Sequence, residues 1–570
     1  MGGSLAKSRL DAAFVVRMVG IVLFAYFFFG FMLLPCLNTL TSIFTTTNAE
    51  GVRDPFAVIR FFFAGSMGRY VWNSLKLAIC LVVTVNVVGV SIVLLTEYFD
   101  IKGSKLLELA FMTPLLYGGI SLVTGYNYVY ASNGVVTKLL ASWIPGMNVN
   151  WFTGFTGVLF VHTFAMTTSH ILFVKTAFKD IDYSTIEAAR SLGCSSIQTF
   201  FKVALPVVKP AMFSASILLI LSALNSFAAP SMLGGKSFYM INSMILTLNG
   251  LRSYDLSALL SLILAVTCIV LLLIMNWLEK RSAYLSVSKV STRLRKTKIR
   301  NPVVNVLVHA ASYILSLLYL LPIGVIVLYS FGDSKSISTA SFPRSFSLDN
   351  YIRVFSTGTT IKPFLNSVKL SLIAVAIVLF ISVASSLAIK KHPGKLTKLL
   401  ELTLLIPWML PATMLAVGMI TAFSTPNLLT FGKVLLGGFW LLPIAYTVCK
   451  IPSSMRLVRA SLYAINDSHE QAAHSLGAGA LYTFRRVVLP AIIPTVASVG
   501  AITFNSLLSE YTVSALLYNV SNVPLGIVLR TPDMNVDPNS EANMLVYIVV
   551  LMAISAVTLI LTRKYRTARD

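Results

Sequence analysis

The chain has 570 residues, of which 56% are hydrophobic and 12% charged, with a mean hydropathy of +0.80 and a formal net charge of +24. Apolar runs of about 20 residues with few charges exclude a soluble globular protein and define a polytopic membrane protein. The runs are continuous rather than alternating, which predicts helices and excludes a closed barrel, and Lys and Arg concentrate in alternate loops, which marks the charge as a topology determinant and not a nucleic-acid interface.

From the N-terminus, Lys7 and Arg9 precede a first apolar run that extends well past a signal-peptide core, so a retained first helix is expected. Twelve spans are predicted, at roughly 18–40, 74–97, 106–129, 152–174, 207–230, 256–278, 303–330, 367–389, 400–423, 432–449, 490–513 and 543–562. Even-numbered loops and both tails are the more basic, which places both termini in the cytoplasm. Glu279–Asn301 is the most basic stretch and contains no spanning run; it reads as a cytoplasmic linker that sets topology and touches anionic lipid. The expected organisation is therefore a first half at 1–285, a linker at 286–302 and a second half at 303–570.

The halves repeat. "NSLKLAI" at Asn73 recurs as "NSVKLSL" at Asn366, and Pro114 answers Pro407, both at an offset of 293. "STIEAARSLGCSSIQTFFKVALPVVKP", from Ser184, recurs as "SHEQAAHSLGAGALYTFRRVVLPAIIP", from Ser468, at an offset of 284. With six spans per half the duplication is parallel, and a pathway between like halves is expected. Both copies of the polar stretch fall between the fourth and fifth spans of their half, in loops at about 182–206 and 466–490. Ser184 with Glu187, and Ser468 with Gln471, are candidate capping boxes. Gly193 and Gly477 are placed to end the first helix in a left-handed turn, and Pro206 and Pro490 to break a second helix before the next span.

Glu187, Ala188, Ala189 and Gly193, followed by Leu205-Pro206, resemble the EAA loop of membrane subunits of binding-protein-dependent ATP-binding cassette importers. The second copy, Gln471, Ala472, Ala473, Gly477 and Leu489-Pro490, is similar, but has Gln where the family has Glu, with Glu470 one place earlier. The resemblance implies that each loop is a coupling helix docking on one of two separate ATPase subunits. Those subunits would bind ATP and Mg, this chain would hold no cofactor, and an extracytoplasmic binding protein would deliver the solute. It also implies a bacterial inner-membrane location. A fused chain of two six-span halves further resembles permeases of the ferric-iron group, whose relatives carry 2-aminoethylphosphonate, thiamine or polyamines; ferric iron is the expected cargo.

No enzyme chemistry is indicated. "PSMLGGKS", Pro230–Ser237, lacks the first glycine of a phosphate-binding loop and follows an apolar helix instead of a strand. Cys36, Cys80, Cys194, Cys268 and Cys449 are scattered without C-x-x-C spacing, so neither a disulfide framework nor a zinc site is expected. Polar residues inside spans are the pathway candidates: Asn225, Ser226, Asn505 and Glu510, and with them His162 and His170, which equally suit bonds across helices. A secondary transporter and a membrane scaffold are the rival readings; the first leaves the repeated loop unexplained, and the second predicts no substrate-dependent ATPase activity in reconstituted complexes.

Overall fold

The computed structural model describes residues 24–44, 54, 56–65, 67–179, 181–282, 296–299, 301–531 and 539–567. Lys7 and Arg9 and most of the expected linker lie outside them. The molecule is all-helical, in two parallel repeats. The first comprises α1 (Phe24–Phe44), α2 (Gly68–Tyr98), α3 (Ser104–Leu115), α4 (Gly119–Tyr130), α5 (Gly154–Lys179), α6 (Tyr183–Ser191), α7 (Phe200–Leu224) and α8 (Tyr254–Ser282). The second comprises α9 (Pro302–Ser330), α10 (Gly358–Lys391), α11 (Lys395–Met409), α12 (Ala412–Phe423), α13 (Leu441–Tyr463), α14 (Asp467–Ser475), α15 (Ala480–Leu508) and α16 (Ser540–Thr567).

These helices are apolar all round because one face meets protein and the other meets lipid. On α2, Leu77, Leu81 and Val85 are buried, whereas Ile79, Val83 and Val87, equally apolar and equally spaced, are exposed. Nine helices among the described residues are long and apolar enough to cross a membrane, and eleven if each of two bent pairs is one span. The bent pairs correct two uninterrupted predictions. The chain turns by 116° between Leu115 and Gly119 and by 99° between Trp408 and Ala412, at extended Gly118 and at Leu410-Pro411, where a helix does not propagate. The span predicted at 432–449 lies later, in α13, whose Lys450, Arg456 and Arg459 keep it out of the apolar count although its 23 residues reach about 34 Å.

The repeat is exact at the level of single hydrogen bonds. Asn73 donates to the Tyr239 carbonyl at 2.9 Å and Asn366 to the Val523 carbonyl at 3.1 Å. The next serines, Ser74 and Ser367, accept from the backbone N–H groups of Ile241 and Leu525. Each pair reproduces the other at the offsets of 293 and 284 seen in the sequence.

The first helix of each repeat packs on the opposite one. On α1, Phe31 packs at a tilt against Phe423 of α12, and on α9, Ile326 packs with the core of the first half. Each crossing sets a proline turn over a glycine, Pro35 on Gly418 and Pro322 on Gly125. A Cβ on Gly418 would lie 2.2 Å from the Pro35 carbonyl oxygen, and one on Gly125 would lie 2.8 Å from Ile326 Cδ1. Removing the side chain lets the backbones meet.

Candidate functional site

The two repeated loops adopt one conformation. Helices α6 and α14 end in Schellman motifs: Gly193 N–H donates to Arg190 O and Cys194 N–H to Ala189 O, and Gly477 and Ala478 do the same to His474 and Ala473. Gly193 has φ +90° and Gly477 φ +81°, the left-handed values expected of them. The starts of these helices correct the expected capping boxes. The caps are Asp182 and Asn466, whose side chains accept from the N–H groups of Ser184 and Ser468 at 3.1 and 3.0 Å. Ser184 and Ser468 are already helical, and Glu187 and Gln471 stand exposed. An Asx side chain two residues earlier satisfies the first free N–H, leaving the serines no capping role.

The prolines also behave differently from expectation. Neither Pro206 nor Pro490 breaks the chain. A π turn at Phe200–Ala204, closed by Leu205 N–H on Phe200 O, carries the backbone into α7, and Phe484–Val488 does the same in α15. The wider turn relieves the clash that the ring would make with the preceding carbonyls.

The loops differ in how they are held. Around α6, Ile186 is buried, and Arg190 donates to Thr297 Oγ1 at 2.7 Å and to Tyr98 OH at 3.2 Å. Thr297, in the predicted linker, exchanges backbone hydrogen bonds with Tyr98 and Asp100. At the position of Ile186 the second repeat has Glu470, which lies 3.5 Å from Lys391 and 4.0 Å from Lys390, while Lys390 also contacts Asp467 at 2.8 Å. Glu470 is thus turned inward and does not stand in for Glu187. The last turns of both loops display a leucine, Leu192 at 85% and Leu476 at 88% exposure. Sequence reasoning missed this pair, although "SLG" stands in both copies.

Between the repeats lies a cavity of about 180 Å³, lined by Asn225 and Asn242 from the first and by Thr413, Tyr446, Lys450, Glu510 and Thr512, among others, from the second. Asn242 ties the repeats together: its amide donates to the carbonyls of Leu224 and Ser226, and its oxygen accepts from Thr413 at 2.8 Å. Glu510 follows α15 and caps the short helix Ser514–Leu517, accepting from Val513 N–H, Ser514 N–H and Ser514 Oγ at 2.9–3.0 Å.

Of the predicted pathway residues the structure brings Asn225 and Glu510 onto this cavity. Ser226 lies against His162, whose Nδ1–H donates to Val158 O and whose Nε2 accepts from Ser226 Oγ at 2.5 Å. Asn505 accepts from Ser555 of α16 at 2.9 Å. His170 donates from Nε2 to Asn86 at 3.0 Å, and Gly89 leaves space for its ring. His170 therefore bonds across to α2, and His162 ties α5 to the segment that follows α7. Asn242, Thr413 and Lys450 were missed; Lys450 stands one residue past the span predicted at 432–449 and read as a loop cation, whereas the structure places it inside α13.

A duplicated membrane bundle with mirrored loops and a polar cavity between its halves defines a transport subunit. The family described as "Binding-protein-dependent transport system inner membrane component" matches residues 109–284 and again 379–566, and the chain belongs to it. It is similar to a protein of Sinorhizobium fredii named "Probable ABC transporter permease protein y4fN", 38% identical over 563 residues, 99% of this chain and 98% of the relative. It also resembles Fe(3+)-transport system permease protein FbpB 2 of Haemophilus influenzae, 24% identical over 542 residues, 93% and 96% of the two chains. A Salmonella paratyphi A relative named for 2-aminoethylphosphonate transport is 23% identical over 244 residues, 42% of this chain and 89% of the relative. The chain is an importer permease of the ATP-binding cassette class, an inner-membrane transport subunit whose family works with ATPase subunits and a substrate-binding protein.

Proposed function

We propose that the chain supplies both halves of a translocation unit, at 1–285 and 303–570, joined by a basic linker at 286–302, and that it works by alternating access. In this reading both termini and both loops are cytoplasmic, and α6 and α14 are coupling helices, each docked on one ATPase subunit. ATP and Mg bind to those subunits. Their closure draws the loops together, and rigid-body rocking opens the cavity toward a loaded extracytoplasmic binding protein. Asn225 and Glu510 line the route, with Asn505 on α15, which frames it, and Ser226 in the segment that follows α7.

The observation that carries this reading is the pair of mirrored helix–glycine-turn loops, each ending in an almost fully exposed leucine at the same register. An exposed apolar side chain beside the glycine turn, repeated by symmetry, fits a partner's groove. Changing Leu192 and Leu476 together to Asp should abolish co-purification with the ATPases while the chain still inserts. Undiminished association and transport in that variant would remove the basis for the proposal.

The cargo is a small solute. Similarity to ferric permeases supports the ferric iron expected from sequence, and 2-aminoethylphosphonate, polyamines and thiamine are the alternatives; the charges in the cavity favour a solute bearing both signs.

A further inference from the structure

The cavity between the halves has a charge pattern that the permease reading does not require. Among its lining residues only Lys450 and Glu510 carry charge, and their signs are opposite. Both come from the second half. At the offset of 284, Lys450 replaces Met166 and Glu510 replaces Ser226, so the fold accommodates neutral residues at both places. Lys450 stands nine residues into α13 and forms no hydrogen bond or ion pair from its ammonium among the described residues. An uncompensated ammonium at that depth is costly unless an anion visits it.

Glu510 is differently disposed. Three of the roughly four acceptor directions of a carboxylate are occupied by Val513 N–H, Ser514 N–H and Ser514 Oγ. Those bonds fix its position and leave its charge and one direction for a solute. One available direction suits a single ammonium group and is a poor cage for a bare multivalent cation, which needs several hard oxygen ligands and would also be repelled by Lys450.

We infer that this cavity is the transmembrane binding site for a small zwitterion, with Lys450 holding its oxyanion and Glu510 its ammonium. Thr413 and Asn242 are already bonded to each other and serve as wall, whereas Thr512 adds a hydroxyl beside the charges. A purely anionic solute meets Glu510, and a purely cationic one meets Lys450; only a solute with both signs is attracted by both. The inference rests on the reading of this cavity as the pathway.

The test uses the full chain in lipid nanodiscs, titrated calorimetrically with 2-aminoethylphosphonate, which carries both signs, with ethylphosphonate and with ethylamine. The zwitterion should bind at least tenfold more tightly than either singly charged probe. Lys450→Met should remove the contribution of the oxyanion, Lys450→Arg should restore most of it, and Glu510→Gln should remove that of the ammonium. Equal binding of the three probes, absence of saturable binding, or unchanged preference in Lys450→Met and Glu510→Gln would overturn the inference. Co-purification of each variant with the ATPases monitors folding. A chain that associates with ATPases through Leu192 and Leu476 but ignores the zwitterion sinks this inference alone, whereas association undiminished by Leu192→Asp with Leu476→Asp sinks the reading of the two loops as coupling helices.

Discussion

The Lys175 ammonium lies 2.5 Å from the Glu108 carboxylate, and at offsets of 284 and 293 the same contact is made by Arg459 with Glu401. Each pair joins the start of the third span to the end of the fourth. The first half adds a second carboxylate, Glu97, 2.7 Å from Lys175. Removing Lys175 therefore strands two neighbouring carboxylates, whereas removing Arg459 strands one. Lys175→Met should lower stability by about 1–3 kcal/mol, less than a fully buried pair because the groups are partly solvated, and Arg459→Met should cost less. Thermal unfolding in detergent checks this, with Glu97→Gln expected to rescue part of the Lys175→Met loss. Equal losses, or no rescue, would rule out the shared-cation account.

Gly418 and Gly125 occupy equivalent crossings but face different obstacles. A Cβ at 418 meets the backbone carbonyl of Pro35, which moves only with its helix; one at 125 meets the end of a flexible isoleucine. Gly418→Ala should destabilise by about 1–3 kcal/mol and Gly125→Ala by less. The midpoint of thermal unfolding should separate them in that order, and the reverse order would contradict the packing argument.

The glycine turns of the two loops should tolerate alanine poorly and valine worse. Nothing lies within 4 Å of a Cβ at Gly193 or Gly477, so the penalty is backbone strain alone, about 1–2 kcal/mol per position for a left-handed residue with a side chain. Gly193→Val and Gly477→Val should leave insertion intact and reduce transport per ATP hydrolysed. Wild-type coupling ratios in both variants would show that turn geometry is irrelevant.

The two loops should be unequal partners. Glu187 offers an exposed carboxylate that Gln471 lacks, and Glu470 is engaged by Lys391 and Lys390. Glu187→Gln should weaken ATPase association at low salt and Gln471→Glu should strengthen it, each by up to about 1 kcal/mol as for exposed pairs. Glu470→Gln should instead loosen the second loop, seen as faster amide exchange in α14. Salt-independent, identical affinities across the first two variants would exclude a charge contribution.

The periodicities of the sequence carried the helices, the duplication and both glycine turns, because those depend on residues close together in the chain. Direction was not legible. Hydropathy sums composition, so 106–129 and 400–423 read as straight although Gly118 and Pro411 bend them. Proline was over-read at 206 and 490, since a π turn removes the clash without ending the helix. At the helix starts a serine three residues before a Glu or Gln outweighed Asp182 and Asn466, whose side chains reach only their own turn. The cavity was half legible: Asn225 and Glu510 stood out as polar residues in apolar runs, but the Asn242–Thr413 contact joins positions 171 residues apart and has no local trace.

The π turns have a mechanical consequence. Because Pro490 does not interrupt it, Ala480–Leu508 is one helix of 29 residues, about 43 Å long, with the glycine turn of the second loop at one end and Glu510 two residues beyond the other. If the loop is the coupling element proposed above and Glu510 lines the pathway, the two are opposite ends of a single lever with no hinge between them. A tilt of about 10° imposed at the loop end sweeps the far end through about 7 Å, enough to widen or shut a passage for a small solute. The wide turn lets a helix that contains prolines transmit force without folding up at them.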